Sequence, residues 1–202
     1  MIENFRILIS KNCIGKGPAL DEASESTAKL LIDKLQPCNL GKNYQIASDF
    51  FSKKSISSSS RRLLWSKMIG NGLNITQEQY SIYKDLIKSR KSNPYPIEKQ
   101  LNIDLRRTLP FDKSLSESQK AFTALKRVLL AFYLYRPDIG YIQGMTYLVC
   151  SLYLHVDEFN TFKLFSNLII TRPLIHALYS FDSKRVLTIS HIFDRMAKKQ
   201  CP

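Results

Sequence analysis

Four cysteines in 202 residues, Cys13, Cys38, Cys150 and Cys201, stand far apart and form no Cys-x-x-Cys pair. The chain therefore offers neither a disulfide framework nor a thiolate zinc site, and it fits a reducing compartment. Cys150 lies inside an apolar run, where a buried free thiol is the ordinary reading. The three histidines, His155, His176 and His191, show no metal-ligand spacing, and none is paired with a serine or cysteine nucleophile. A metal site and a catalytic triad are both set aside. A long apolar run is missing as well: Met145 to Val156 is too short to span a bilayer and includes His155. The opening MIENFRILISKN carries Glu3 and no continuous apolar segment, unlike a secretory signal, and the Asn74-Ile75-Thr76 glycosylation acceptor then stays silent. The expected setting is soluble and cytoplasmic.

What is present is a core and a charge. Apolar residues make up 44% and aromatics 11% of the chain, too much for general disorder. The net charge of +13 points to an anionic partner: phosphate groups, a membrane surface, nucleic acid or an acidic protein. The basic residues are scattered as singles and pairs, such as Lys53-Lys54, Arg61-Arg62 and Arg106-Arg107, which also fits a merely solvated basic surface.

Phe5 to Ile9 alternates as a short strand would, and Cys13 to Pro18 reads as a turn. Pro18 follows the second glycine of that turn where a phosphate loop needs Lys and then Ser or Thr, so nucleotide binding is discarded there. Ala19 to Leu35 reads as a helix ended by Pro37, and the serine-dense Ser55 to Ser60 as a flexible junction. The expected division is an N-terminal extension over 1–60 and a helical domain over 61–202.

Beyond the junction every periodic stretch is helical. Arg62 to Ile69 places Leu64, Trp65, Met68 and Ile69 on one face and is stopped by Gly70-Asn71-Gly72. Thr76 and Gln79 form a capping box for a helix over Gln77 to Arg90, with Tyr80, Tyr83, Leu86 and Ile87 inward. Ser116 and Gln119 form a second box for a helix over Glu117 to Tyr135. Pro137 to Gly140 is a turn, and Tyr141 to His155 is apolar nearly all round, as a central, surrounded helix would be. Phe159 to Ile170 and Ser183 to Lys199 are further helices, separated by Pro173 and a loop. The fold class is all-α.

Two stretches carry chemistry. In Leu101 to Pro110, Asp104 and Arg107 share a helix face, and Pro110 disfavours α conformation at Leu109, ending the helix with Arg107 in its last turn. An arginine so oriented suits a partner's phosphate site, but on this stretch alone a solvated ion pair at a helix end is the favoured reading. In Tyr141-Ile142-Gln143-Gly144-Met145, Gln143 falls in the first turn of the central helix and can both donate and accept. It suits orienting a water, or simply satisfying a helix N-terminus, and Gly144 permits close approach by another backbone. Nothing builds an active site of the chain's own, so any catalytic role lies inside a partner's.

Taken together, the motifs resemble the TBC domain of Rab GTPase-activating proteins. Arg61-Arg62-Leu63-Leu64-Trp65 with Ile69-Gly70-Asn71 resembles the family's opening motif. Leu101-x-x-Asp104-x-x-Arg107-Thr108-Leu109-Pro110 resembles its Ile-x-x-Asp-x-x-Arg motif, with Leu for Ile, and Tyr141 to Met145 its Tyr-x-Gln-Gly-Met motif. The resemblance covers roughly Arg61 to Pro202. It implies that Arg107 matches an arginine finger reaching the γ-phosphate of GTP on a bound Rab, and Gln143 a glutamine finger positioning the attacking water. Asp104, Tyr141 and Gly144 are then supports. Arg106 does not match the motif position. The implied partner is a Rab in its GTP state, which brings its own GTP and Mg²⁺, so the chain needs no cofactor. The implied setting is vesicle trafficking, with peripheral contact to endomembranes through the basic surface. The family continues into further C-terminal helices, so the match is expected to be its N-terminal and middle part, with apolar faces of the last helices partly exposed. The alternative class is a Rab-binding or scaffold module without activation. A specific nucleic-acid binder would rest on charge alone.

Overall fold

The computed structural model describes residues 58–90, 92–109 and 118–200, together with Ser26, Leu30 and Leu115. The strand expected over Phe5 to Ile9, the turn over Cys13 to Pro18, and Cys13, Cys38 and Cys201 lie outside the described residues. So do most of the helix expected over Ala19 to Leu35, of which Ser26 and Leu30 are helical, and the N-terminal part of the serine-dense junction. Among the described residues there are eight helices and no strand. They are α1 (Ser58–Ile69), α2 (Gln77–Ser89), α3 (Glu98–Thr108), α4 (Gln119–Tyr135), α5 (Met145–Tyr153), α6 (Glu158–Thr171), α7 (Pro173–Tyr179) and α8 (Ser183–Gln200). The all-α expectation holds, and none of these helices is long and apolar enough to cross a membrane.

The centre is shared by α4 and α6, which pack on each other, rather than held by the helix expected there. α4 packs against α2, α3, α5 and α6, burying Leu125, Val128, Leu129 and Phe132. α5 is shorter than the expected Tyr141 to His155, and it leaves Tyr147, Leu148 and Tyr153 half-buried. Leu101 and Leu105 of α3, Val149 and Cys150 of α5, and Phe162, Phe165 and Ile169 of α6 complete the core. Tyr80 stacks on Phe162 with ring centroids 4.8 Å apart, and Phe132 meets Phe165 edge-on at 4.9 Å, geometries that aromatic quadrupoles favour. Cys150 is a buried free thiol as expected, its pKa pushed up to about 12 by burial.

The helix ends explain most departures from the sequence reading. α1 starts inside the serine run, with Ser60 fully buried. The Thr76–Gln79 box is present in both directions, at 3.3 and 3.0 Å, but Leu86 of the expected inner stripe is exposed. The cap of α4 is Ser118, whose hydroxyl accepts from the Ala121 N–H at 3.1 Å; the expected Ser116 lies outside the described residues. Ser118 is extended there, which aims its oxygen at the free N–H groups of the first turn. Leu109 keeps α dihedrals (φ −58°, ψ −37°) despite the proline that follows. Its N–H bonds to the Leu105 carbonyl and its side chain is buried, which together outweigh the steric preference. Pro173 opens a helix instead of leading into a loop, because proline at the first helical position lacks only an N–H that would be unpaired anyway.

The junction after α1 is held by amides. Asn71 bonds to both the N–H and the carbonyl of Ile75, and fully buried Asn167 of α6 reaches the Leu73 N–H and the Asn71 side chain. Arg172 donates to the carbonyls of Met68 and Ile69, covering the C-terminal end of α1. Trp65 stands edge-on to His155 at 5.0 Å. These elements and α7 border an open, apolar cleft of about 490 Å³ lined by residues such as Trp65, Leu148, Leu168 and Ile175. α8 packs on α7, and Leu178, Phe181, Leu187, Ile192 and Phe193 of this end are exposed, as expected for the last helices.

Candidate functional site

The site is built on a buried carboxylate. Asp104, in the middle of α3, has no exposed surface, and an unpaired charge there would be costly. Three donors meet it. The Gln100 amide, one turn earlier, donates to Oδ1 at 2.9 Å. The Arg107 guanidinium, one turn later, bonds to the same oxygen through Nη2 at 2.7 Å. The Tyr141 hydroxyl, from the turn ahead of α5, donates to Oδ2 at 2.5 Å. Burial first, and the negative carboxylate second, push the Tyr141 phenol well above its ordinary value, so it stays a donor at any physiological pH.

Arg107 is held but not hidden: its side chain is 46% exposed while its partner is fully buried. Gln143 is exposed in the same place. With its amide oriented to satisfy both groups, its oxygen accepts from Arg107 Nη1 at 3.0 Å and from Nη2. A permanent cation and a neutral amide therefore stand side by side at the surface over one buried brace. The structure brings together Arg107, Gln143, Asp104 and Tyr141. Asp104 and Arg107 form the ion pair expected from their spacing, and Arg106 is exposed, with no bond to this cluster among the described residues.

Gln143 and Gly144 sit differently from the reading. Gln143 lies in the turn before α5, not in its first turn, because Gly144 is the N-cap at φ +102°. That left-handed backbone is the reason for glycine; among the described residues, its chain neighbours aside, no atom lies within 4 Å of where its Cβ would be. Gly140, at φ +67°, makes the preceding turn, beside an Arg136–Asp138 pair with bonds of 2.7 and 2.6 Å.

Sequence reading missed Gln100, although its four-residue spacing from Asp104 was a usable signal. It also missed Thr108 and Thr146. Thr108 donates to the Asp104 carbonyl at 2.6 Å and meets the Thr146 hydroxyl at 2.9 Å, both side chains buried. They are 38 residues apart, and nothing in the sequence pairs them. Among the described residues no cluster of His, Cys, Asp and Glu could hold a metal ion.

An all-helical domain with an arginine and a glutamine presented together defines the class, and comparison with known proteins names it. Residues 58–202 match the model of the Rab-GTPase-TBC domain, and the chain belongs to that family. It is 30% identical to TBC1 domain family member 12 of Rattus norvegicus over 151 residues, 66% of this chain and 22% of that protein. It is 29% identical to TBC1 domain family member 14 of Homo sapiens over 168 residues, 74% of this chain and 24% of that protein. Thirty-seven per cent identity to TBC1 domain family member 2B of Mus musculus extends over 81 residues, 40% of this chain and 8% of that protein. The chain thus spans less than a quarter of the length of these relatives.

Proposed function

We propose that the chain is a GTPase-activating protein for a Rab-family GTPase, supplying Arg107 and Gln143 in trans. The observation that carries this is the adjacency of the two side chains, exposed together above the Asp104–Tyr141 brace. The GTPase brings the GTP and Mg²⁺, and the chemistry takes place in its active site, so the chain acts as a regulator and needs no cofactor of its own. On docking, Arg107 leaves the Gln143 oxygen and turns its guanidinium toward the γ-phosphate, where charge develops as the phosphoryl group departs. Asp104 keeps hold of one guanidinium nitrogen and so limits the search for that geometry. Gln143, freed, accepts from the attacking water and donates to backbone oxygens near it. Arginine fingers contribute about 10³ to 10⁵ in rate in well-characterised GTPases. The net charge of +13 suits the cytoplasmic face of anionic endomembranes, with peripheral contact in vesicle trafficking.

The test is single-turnover GTP hydrolysis by a panel of Rabs, comparing the wild type with Arg107→Ala and Gln143→Ala. Acceleration by the wild type that collapses in both variants is the expected result. Equal rates for all three would overturn the proposal. Binding to a GTP-loaded Rab without acceleration would select a non-catalytic binding module instead.

A further inference from the structure

Arg107 and Gln143 belong to different segments, so their separation depends on how α3 is registered against the start of α5. The polar groups at that seam are linked to one another. The Tyr141 hydroxyl donates its proton to Asp104 Oδ2. The Thr108 proton is taken by the Asp104 carbonyl. The Thr146 hydroxyl meets the Thr108 hydroxyl at 2.9 Å and is also hydrogen-bonded with the Tyr141 hydroxyl. The hydroxyls of Tyr141, Thr146 and Thr108 thus form one linked chain that joins α5 and the turn before it to α3. Gln100 fixes the remaining freedom of the carboxylate by donating to the oxygen that holds Arg107. Thr108 directly follows Arg107, and Thr146 stands in the first turn of α5, just beyond the Gly144 cap.

We propose that Gln100, Thr108 and Thr146 are positioning residues that set Arg107 and Gln143 as one unit, by fixing the Asp104 rotamer and the register of α3 on α5. The inference rests on the activating reading of the site. A shift of about 1 Å in such a pair costs up to roughly 10²-fold in rate, whereas loss of a purely structural bond lowers only the folded fraction. Thr146→Val keeps the shape and removes the hydroxyl; Thr146→Ser keeps the hydroxyl.

The experiment has two arms. In single-turnover GTP hydrolysis, Thr146→Val and Gln100→Leu are expected to lower the maximal rate roughly tenfold with the half-saturating concentration unchanged, while Thr146→Ser stays near wild type. Arg127→Lys, remote from the seam, serves as the control for destabilisation alone. In the second arm, the side-chain NMR signals of Arg107 and Gln143 are followed in the free protein. Thr146→Val is expected to shift or broaden both, and Thr146→Ser to restore them. Signals that are unchanged in Thr146→Val overturn the positioning role whether or not any Rab responds. Acceleration that needs Arg107 but is indifferent to Thr146→Val and Gln100→Leu also overturns it, with the activating reading left standing. No acceleration by the wild type, with the NMR shifts present, removes the activating reading and keeps the register role.

Discussion

The molecule builds the same trio twice, and the two copies are used differently. Asp104 holds Tyr141 and Arg107; Glu158, at the start of α6, holds Tyr80 at 2.7 Å and Arg127. The Arg127 guanidinium is consumed: its Nε and Nη2 lie against the two carboxylate oxygens at 2.8 and 2.6 Å, a fork-to-fork pair tying α4 to α6. Arg107 is tethered to its carboxylate by Nη2, and the carboxylate, not the arginine, is the buried member. Spacing decides the difference. A partner one turn away on the same helix reaches the carboxylate from its side, leaving the rest of the fork outward. A partner on another helix can meet it face to face. The first geometry presents a cation; the second closes a seam.

Replacing each arginine by lysine breaks the comparison most sharply. Arg107→Lys is expected to lose most of the contribution of its fork, on the order of 10³ in single-turnover rate, with the thermal midpoint nearly unchanged. Gln143→Ala comes next, with about 10² lost in the same assay, since it removes one positioned group and leaves the cation. Arg127→Lys is expected to leave the rate alone and to cost about 1 kcal/mol by losing one of two charge-assisted bonds. At this chain length that lowers the melting midpoint by roughly 2–4 °C in calorimetry.

A pH titration sharpens the second copy. Burial alone would raise the Glu158 carboxyl, but the bonds from Arg127 and Tyr80 prevail and hold it below its ordinary 4.5. A carboxyl lowered in the folded state stabilises fully above its unfolded value and loses that contribution as pH falls through the folded one. Urea denaturation at steps from pH 6 to pH 3 should thus show the wild type losing stability below about 4.5, with Glu158→Gln losing less over the same interval. The exposed Asp138, drawn down to about 2 by Arg136, keeps its charge through that whole window. Gly144→Ala places a side chain at φ +102° and is expected to cost about 1–2 kcal/mol, read as a midpoint shift at least as large as that of Arg127→Lys.

How much of this was legible depends on distance along the chain. The Asp104–Arg107 pair follows from helical period alone, and the Thr76–Gln79 box from a fixed spacing. Cap identity at α4 was not decidable, because Ser116 and Ser118 both precede the apolar run and the choice rests on backbone dihedrals. The start of α5 was misplaced by reading Gly144 as a place for close packing, when its left-handed conformation forces the cap. The meeting of Gln143 with Arg107 is a tertiary contact, so only the family motifs pointed to it. Thr146 had no such pointer, and the packing of α3 on α5 alone brings it to Thr108.

The indole of Trp65 has a use outside chemistry and stability. It is the single tryptophan of the chain, and it sits on α1 against His155, just past α5. Emission excited selectively at tryptophan therefore comes, within this chain, from one known point, at the contact of α1 with the segment just past the end of α5. A change in emission on mixing with a GTPase would report whether that contact loosens, in real time and without a label. It would do so independently of whether either arginine or glutamine is intact.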